Sequence, residues 1–238
     1  MKKLLALPLL FLFCAVTLIS CSDNDNRNYQ YRISVLNLTN NQPISPMAVI
    51  VHSNQFNAWE NGAAASVALE KLAEAGEPDD LIALADASND VYYHAALGEQ
   101  NLQAGNSILL DISFVTHKNN PLMLTIAGKL QNTNDGFAGR TMIDLQQLAF
   151  TDHNKASINL FAWDSGTEAN TETEATISGP AGTGTGFDAS RVGDIDKVSQ
   201  HIGIIGNQGD KLALTDSVLT SSHKFDNPVA RVFITRTN

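Results

Sequence analysis

Two hydrophobic patterns divide the chain near residue 21. Leu4 to Ile19 is almost unbroken apolar sequence behind Lys2 and Lys3, whereas apolar and polar positions are interleaved from Tyr29 onward. Tyr31, Ile33 and Val35 alternate with Arg32 and Ser34, and the further apolar residues Leu36 and Leu38 predict a strand buried on both faces. Pro43 and Pro46 impose a turn, and Met47 to Val51 is a second, β-branched strand ending at His52. Across Ala63 to Ala75 the period changes to helical: Ala65, Leu69, Leu72 and Ala73 share one face, and Glu70, Lys71 and Glu74 share the other. Asn61 is the expected cap of this helix, and Gly76 and Pro78 are its expected end. Further strands are predicted at Ser107 to Thr116, Leu122 to Lys129, Ser157 to Phe161, Thr171 to Ser178 and Val229 to Thr235, with a hairpin at Asn119-Asn120-Pro121. Gly179 to Gly186 and Gly203 to Gly209 read as long surface loops. The pattern predicts a mainly β protein, an antiparallel β-sandwich with one short helix.

The first 21 residues read as an export signal. The apolar run is shorter than the ~20 residues of a membrane-spanning helix, and Ser22-Asp23-Asn24-Asp25-Asn26 is not the basic flank of a stop-transfer anchor. Leu18-Ile19-Ser20-Cys21 resembles the lipobox of bacterial lipoproteins, in which Cys21 takes the lipid. The alternatives are an ordinary cleavable signal or a buried cysteine. Ser22 in the second mature position resembles the pattern of lipoproteins sent to the outer membrane, facing the periplasm or the cell surface. Residues 22–28 then form a solvated tether, and the domain is expected over residues 29–238.

Composition narrows the chemistry. Hydrophobic residues at 43% and charged residues at 17% allow a sizeable core and exclude disorder of the whole chain. The formal charge of −10, from 15 basic and 25 acidic residues, excludes a partner held by nucleic-acid phosphates and favours cations. Loss of Lys2 and Lys3 with the signal deepens that charge to −12. With Cys14 in the signal and Cys21 acylated, the domain has no thiol, which excludes disulfides, cysteine-ligated zinc and thiol catalysis.

Catalytic motifs are missing from the sequence. Gly182-Thr183-Gly184-Thr185-Gly186 lacks the Lys-Ser/Thr of a phosphate loop and reads as a flexible loop. The six histidines, at 52, 94, 117, 153, 201 and 223, form no i, i+4 pair and read as surface or turn residues; no serine lies in Gly-x-Ser-x-Gly. Acidic loops are more informative. Asn132-Thr133-Asn134-Asp135-Gly136-Phe137 and Trp163-Asp164-Ser165-Gly166-Thr167-Glu168 each follow an apolar run and gather oxygen ligands of the kind calcium takes. Asn, Asp and Gly are also what turns are made of, so this composition leaves both readings open.

Tyr31 to Leu38, Gln42-Pro43-Ile44-Ser45-Pro46, Leu72-Ala73-Glu74-Ala75-Gly76-Glu77, Thr133 to Phe137, Trp163 to Glu168 and Ala230-Arg231-Val232-Phe233-Ile234 together resemble the spondin N-terminal domain. Asp164-Ser165-Gly166-Thr167-Glu168 is the most specific part, close to an Asp-Ala-Gly-Thr-Asp/Glu signature. The resemblance implies a β-sandwich related to membrane-targeting C2 domains with one calcium ion at the loops of one end. Asp164 and Glu168 match family ligands, and Asp135 matches the acidic residue of the neighbouring loop. Unlike animal members, this chain lacks the disulfide cysteines. The function expected is a non-catalytic, lipid-anchored, calcium-supported binding or adhesion module of the bacterial cell envelope, meeting a protein or glycan ligand. The alternative is an envelope hydrolase acting on glycans through two of Asp135, Asp164 and Glu168.

Overall fold

The computed structural model describes residues 25–151, 153–190, 195–208 and 213–238; the expected signal and its Cys21 lie outside the described residues. Among the described residues nine strands form one antiparallel sheet: β1 (Asn26–Asn37), β2 (Met47–His52), β3 (Val91–Leu97), β4 (Ser107–His117), β5 (Met123–Lys129), β6 (Gly136–Asp144), β7 (Lys155–Asp164), β8 (Ser199–Gln200) and β9 (Ala230–Arg236). Their spatial order is β3-β2-β5-β6-β7-β9-β1-β4, with β8 added at the end of β7. β7 belongs to both layers. Lys155 to Leu160 pair with β9, while Phe161 to Asp164 pair with β6, so the strand turns the corner from one sheet into the other. The two outer strands, β3 and β4, approach through Tyr92 stacked on Phe114 at 6.5 Å, and Tyr29 and Tyr31 stack on the same ring. The expected sandwich is what the chain forms.

Two apolar layers hold it. Tyr31, Ile33, Val35, Val49, Ile126, Leu160 and Val232 belong to the main core between the sheets. Ala48, Ile50, Ala127 and Phe137 lie beneath the helices α1 (Val67–Ala75) and α2 (Asp79–Asp86), against Leu69, Leu72, Ala73 and Leu81. This second layer explains why every residue of β2 is buried: its odd positions enter one core and its even positions the other. β1 is simpler than expected, with Tyr31, Ile33 and Val35 buried and Arg32 exposed on the opposite face.

Several expectations fail for identifiable reasons. The helix begins at Val67 rather than Ala63, capped by Ser66 rather than Asn61: the Ser66 hydroxyl accepts the Leu69 N–H at 3.2 Å. The backbone of Gly62 and Ala63 is committed elsewhere, to Val198 at 2.7 and 2.8 Å. Gly76 ends α1 as expected, at φ 76°. Pro78 does not end the helical region but precedes a second helix, α2, where it lacks only an N–H that the first turn leaves unused and where Asp79 and Asp80 meet the positive end of the dipole. β1 begins at Asn26, inside the stretch read as tether, because Asn26 pairs with His117. β4 and β5 are not a hairpin: β4 pairs with β1, and both edges of β5 are taken by β2 and β6, so residues 118–122 cross between layers. Thr171 to Ser178 is no strand. Its hydroxyls bond locally, as between Thr173 and Thr176 at 3.0 Å, and Ile177 N–H turns back to Thr173 O at 3.1 Å. The loop 179–186 packs on its neighbours rather than standing free: Thr183 N–H reaches Glu174 O at 2.7 Å and Gly184 N–H reaches Ile177 O at 2.9 Å.

Candidate functional site

The acidic loops meet because β6 and β7 pair at their ends. Gly136 opposes Asp164, so the turn entering β6 and the turn leaving β7 lie side by side. Asp135 is fully buried and joins them. Its Oδ2 accepts from Thr167 N–H at 2.7 Å, Ser165 Oγ–H at 2.9 Å, Glu168 N–H at 3.0 Å and Thr167 Oγ1–H at 3.2 Å. Asp164 closes its own turn, accepting Gly166 N–H at 2.8 Å on Oδ1 and the Asn170 amide at 2.6 Å on Oδ2. Glu168 is partly exposed at the rim of a cavity of about 460 Å³, whose lining also includes Glu74, Asn134, Thr171, Thr176 and Asp188.

Lys129, the last residue of β5, occupies the centre. Its ammonium is buried and donates to Asn134 O at 2.6 Å, Ala73 O at 2.7 Å and Thr133 O at 3.0 Å. Ala73 lies in the last turn of α1, where carbonyls lack helical partners and the dipole favours a cation. Burial pushes the Lys129 amine down to about 8, against the pull of Asp135, Glu168 and Glu74. A second carboxylate works nearby. Glu172, 3% exposed, accepts Ile205 N–H, Gly206 N–H and Ser217 Oγ–H, each at 2.7 Å, and so fixes residues 205, 206 and 217 to the connection that follows β7.

Two histidines read as surface or turn residues are buried. His52 is held by Ser53 O at 2.7 Å and Thr125 Oγ1 at 2.8 Å, and burial lowers its pKa. His201 lies against Gly136, where a Cβ would stand 2.8 Å from its ring. Gly203 N–H donates to Nδ1 at 2.9 Å, which leaves the proton of the neutral ring on Nε2, an atom with no hydrogen-bond partner among the described residues. Burial pushes this ring down to about 4. Between pH 6.5 and 4 the unfolded chain therefore binds a proton that the folded chain refuses, and stability falls with pH in that window. The expected loss is on the order of 3 kcal/mol, and His201→Gln should remove this component in urea melts at pH 7 and pH 4. Equal pH dependence in the two proteins would contradict it.

Of the predicted ligands, the structure brings Asp135, Asp164 and Glu168 into one loop cluster, yet they do not share a centre. Among the described residues no three His, Asp or Glu side chains are grouped to hold a metal ion. One atom fits a cation well: Asp135 Oδ1 is a buried carboxylate oxygen with no hydrogen-bond partner among the described residues. Asp164 fits less well, since both its oxygens already serve amide donors. Lys129 and Glu172 escaped the sequence reading. Lys129 ended an apolar strand, where a lysine ordinarily snorkels to water. Glu172 sat in a segment mistaken for a strand.

A family model, Spondin_N, matches residues 37–181, a span that contains Lys129, Asp135, Asp164, Glu168 and Glu172. A search of curated proteins finds no match.

Proposed function

Because the chain belongs to the spondin N-terminal domain family, we propose that it is a non-catalytic binding module, held at the bacterial cell envelope by lipid on Cys21 and supported by calcium at its acidic loops. The family itself fits a binding or adhesion module. The observation that carries the reading is the internal fastening of the loops: Asp135, Glu172 and Lys129, all buried, tie three connections into a fixed end of the sandwich. A fixed loop surface suits recognition because little ordering entropy remains to be lost on binding. A hydrolase needs an acid that can reach substrate. Asp135 is enclosed, with one oxygen given to four donors, which disfavours that role. The ligand in this reading is a protein or glycan of the envelope or the extracellular side.

Two measurements test the finer parts. Labelling with a clickable fatty acid should mark the wild type and spare Cys21→Ser; equal incorporation would sink the anchor. For calcium, Asp135 Oδ1, Glu168 and neighbouring carbonyls are the proposed donors, with Asp164 contributing after giving up one amide. Calcium at ~100 times Kd should add about 2.7 kcal/mol, visible as a rise in Tm of several degrees, with magnesium doing less because it yields its water reluctantly. Asp164→Asn should reduce the rise without unfolding the domain. A melting curve indifferent to millimolar calcium, with no heat of binding, returns the three acids to the role of turn residues.

A further inference from the structure

The two ends of the sandwich differ in charge. Asp164 finishes β7 in the acidic loop cluster, and Lys155 begins it at the opposite end, about 30 Å away for a strand of 10 residues. Lys155 pairs there with Thr235, and nearby Arg236 pairs with Tyr31 and Asn26 with His117. A cavity of about 410 Å³ opens at this second end, and its lining includes Arg27, Lys118 and Arg236 together with Tyr29, Tyr31 and Gln146. Among the described residues no Asp or Glu lines it. Arg27 is exposed, Lys118 also holds Asp25 at 2.6 Å, and the Arg236 guanidinium lies 4.6 Å from the centre of the Phe150 ring. Arg27 and Arg236, two guanidinium groups with no lining carboxylate among the described residues, stand out in a chain of formal charge −10.

The covalent geometry adds a position. Cys21 is five residues before the first residue of β1, so whatever path those residues take, they span at most ~18 Å. A lipid on Cys21 would hold this end of the domain, rather than the acidic loops, at the bilayer. An acidic body near an anionic surface is repelled over about one Debye length, while basic groups are attracted. Guanidinium groups also match phosphate oxygens in pairs, and tyrosines favour the headgroup layer.

We propose that the cavity lined by Arg27, Lys118 and Arg236 binds the phosphate of an anionic lipid headgroup, which seats this end of the sandwich on the membrane and turns the acidic loops away from it. The cavity is new relative to the anchored reading and rests on it only for the choice of a membrane as the source of the phosphate.

The test uses residues 22–238, which keep every described element from Asn26 to Arg236 and lack the acylated cysteine. This protein is sedimented with neutral phosphatidylcholine vesicles and with vesicles containing phosphatidylglycerol, with and without soluble glycerol phosphate. Binding to the anionic vesicles alone, its reduction by glycerol phosphate, and a loss of about tenfold or more in Arg27→Glu are expected. Arg27→Lys should keep most of the binding, and Glu99→Gln, exposed in the connection between β3 and β4, should change nothing. Equal sedimentation with both vesicle types, or with wild type and Arg27→Glu, would overturn the proposal. Glycerol phosphate that binds, seen as a shifted Tm, while anionic vesicles do not would overturn the headgroup assignment. Because the protein is unacylated, failure here leaves the labelling of Cys21 untouched, and failure of labelling leaves this result standing.

Discussion

Lys129→Met is expected to remove about 3–5 kcal/mol of stability, the usual effect of deleting one partner from a buried charged group. Methionine fills nearly the same space and brings no donor. Ala73 O, Thr133 O and Asn134 O would lose the ammonium that joins the end of α1 to the turn before β6, and the enclosed Asp135 would lose a compensating positive charge. Asp135→Asn is the instructive companion. It keeps an acceptor for the N–H groups of Thr167 and Glu168 but removes the charge, so it should cost less by itself, about 1–3 kcal/mol. If the two groups act together, the double substitution should cost clearly less than the sum, with a coupling of about 1 kcal/mol or more. Urea unfolding of the four proteins measures this. Additive losses would mean that Lys129 serves the carbonyls alone, and a stable Lys129→Met would mean that it serves neither.

Glu172→Ala should produce a loss of similar size, about 3–5 kcal/mol, but confined to another part of the molecule. The change leaves Ile205 N–H, Gly206 N–H and Ser217 Oγ–H without their shared acceptor in a buried place. Glu172 also stands at φ 55°, a left-handed conformation costly for such a side chain, so the bonds it makes hold the backbone as well as the loop. Glu172→Gln preserves shape but offers one acceptor oxygen where three donors converge, and should recover only part of the loss. Hydrogen exchange locates the effect. Accelerated exchange at residues 203–207 and 217–219, with the strands of the main core unchanged, is the expected result; uniform acceleration across the sheet would show that the loop is not a separate unit.

Much of the architecture was legible because burial leaves a period. β4 alternates cleanly where it is an outer strand, and the apolar faces of β5 and β9 and the Leu69-Leu72-Ala73 stripe of α1 all lie where the pattern put them. What failed was sequence whose spacing had two meanings. Gly136 and Gly139 are strand positions kept small for His201 and Trp59, and glycines lend a strand no side-chain period, which is why β6 went unseen. β3 lines one outer edge, with most of its residues half-buried on both faces, so Tyr92-Tyr93-His94 shows no alternation. The threonines of 171–176 have strand propensity, yet their hydroxyls close local turns. In the site, Asp135, Asp164 and Glu168 could be picked out because turn chemistry is local. Lys129 could not, since its meaning depends on Ala73, 56 residues away.

The place of β1 between β4 and β9 sets a schedule for making the molecule. Tyr31 pairs with Arg236, so the second partner of this strand is synthesised 205 residues after it. At roughly 5–20 residues per second, the ribosome delivers it about 10–40 s after β1 itself. During that interval β4 can cover one edge of β1, but the other presents unpaired N–H and C=O groups to any passing chain. Completion of the barrel-like path waits until β9 has left the ribosome, a delay that keeps the chain threadable in the interval. A nonsense change that removes β9 would leave β1 and β7 facing each other across an empty lane, and the product should aggregate rather than persist as a shortened domain.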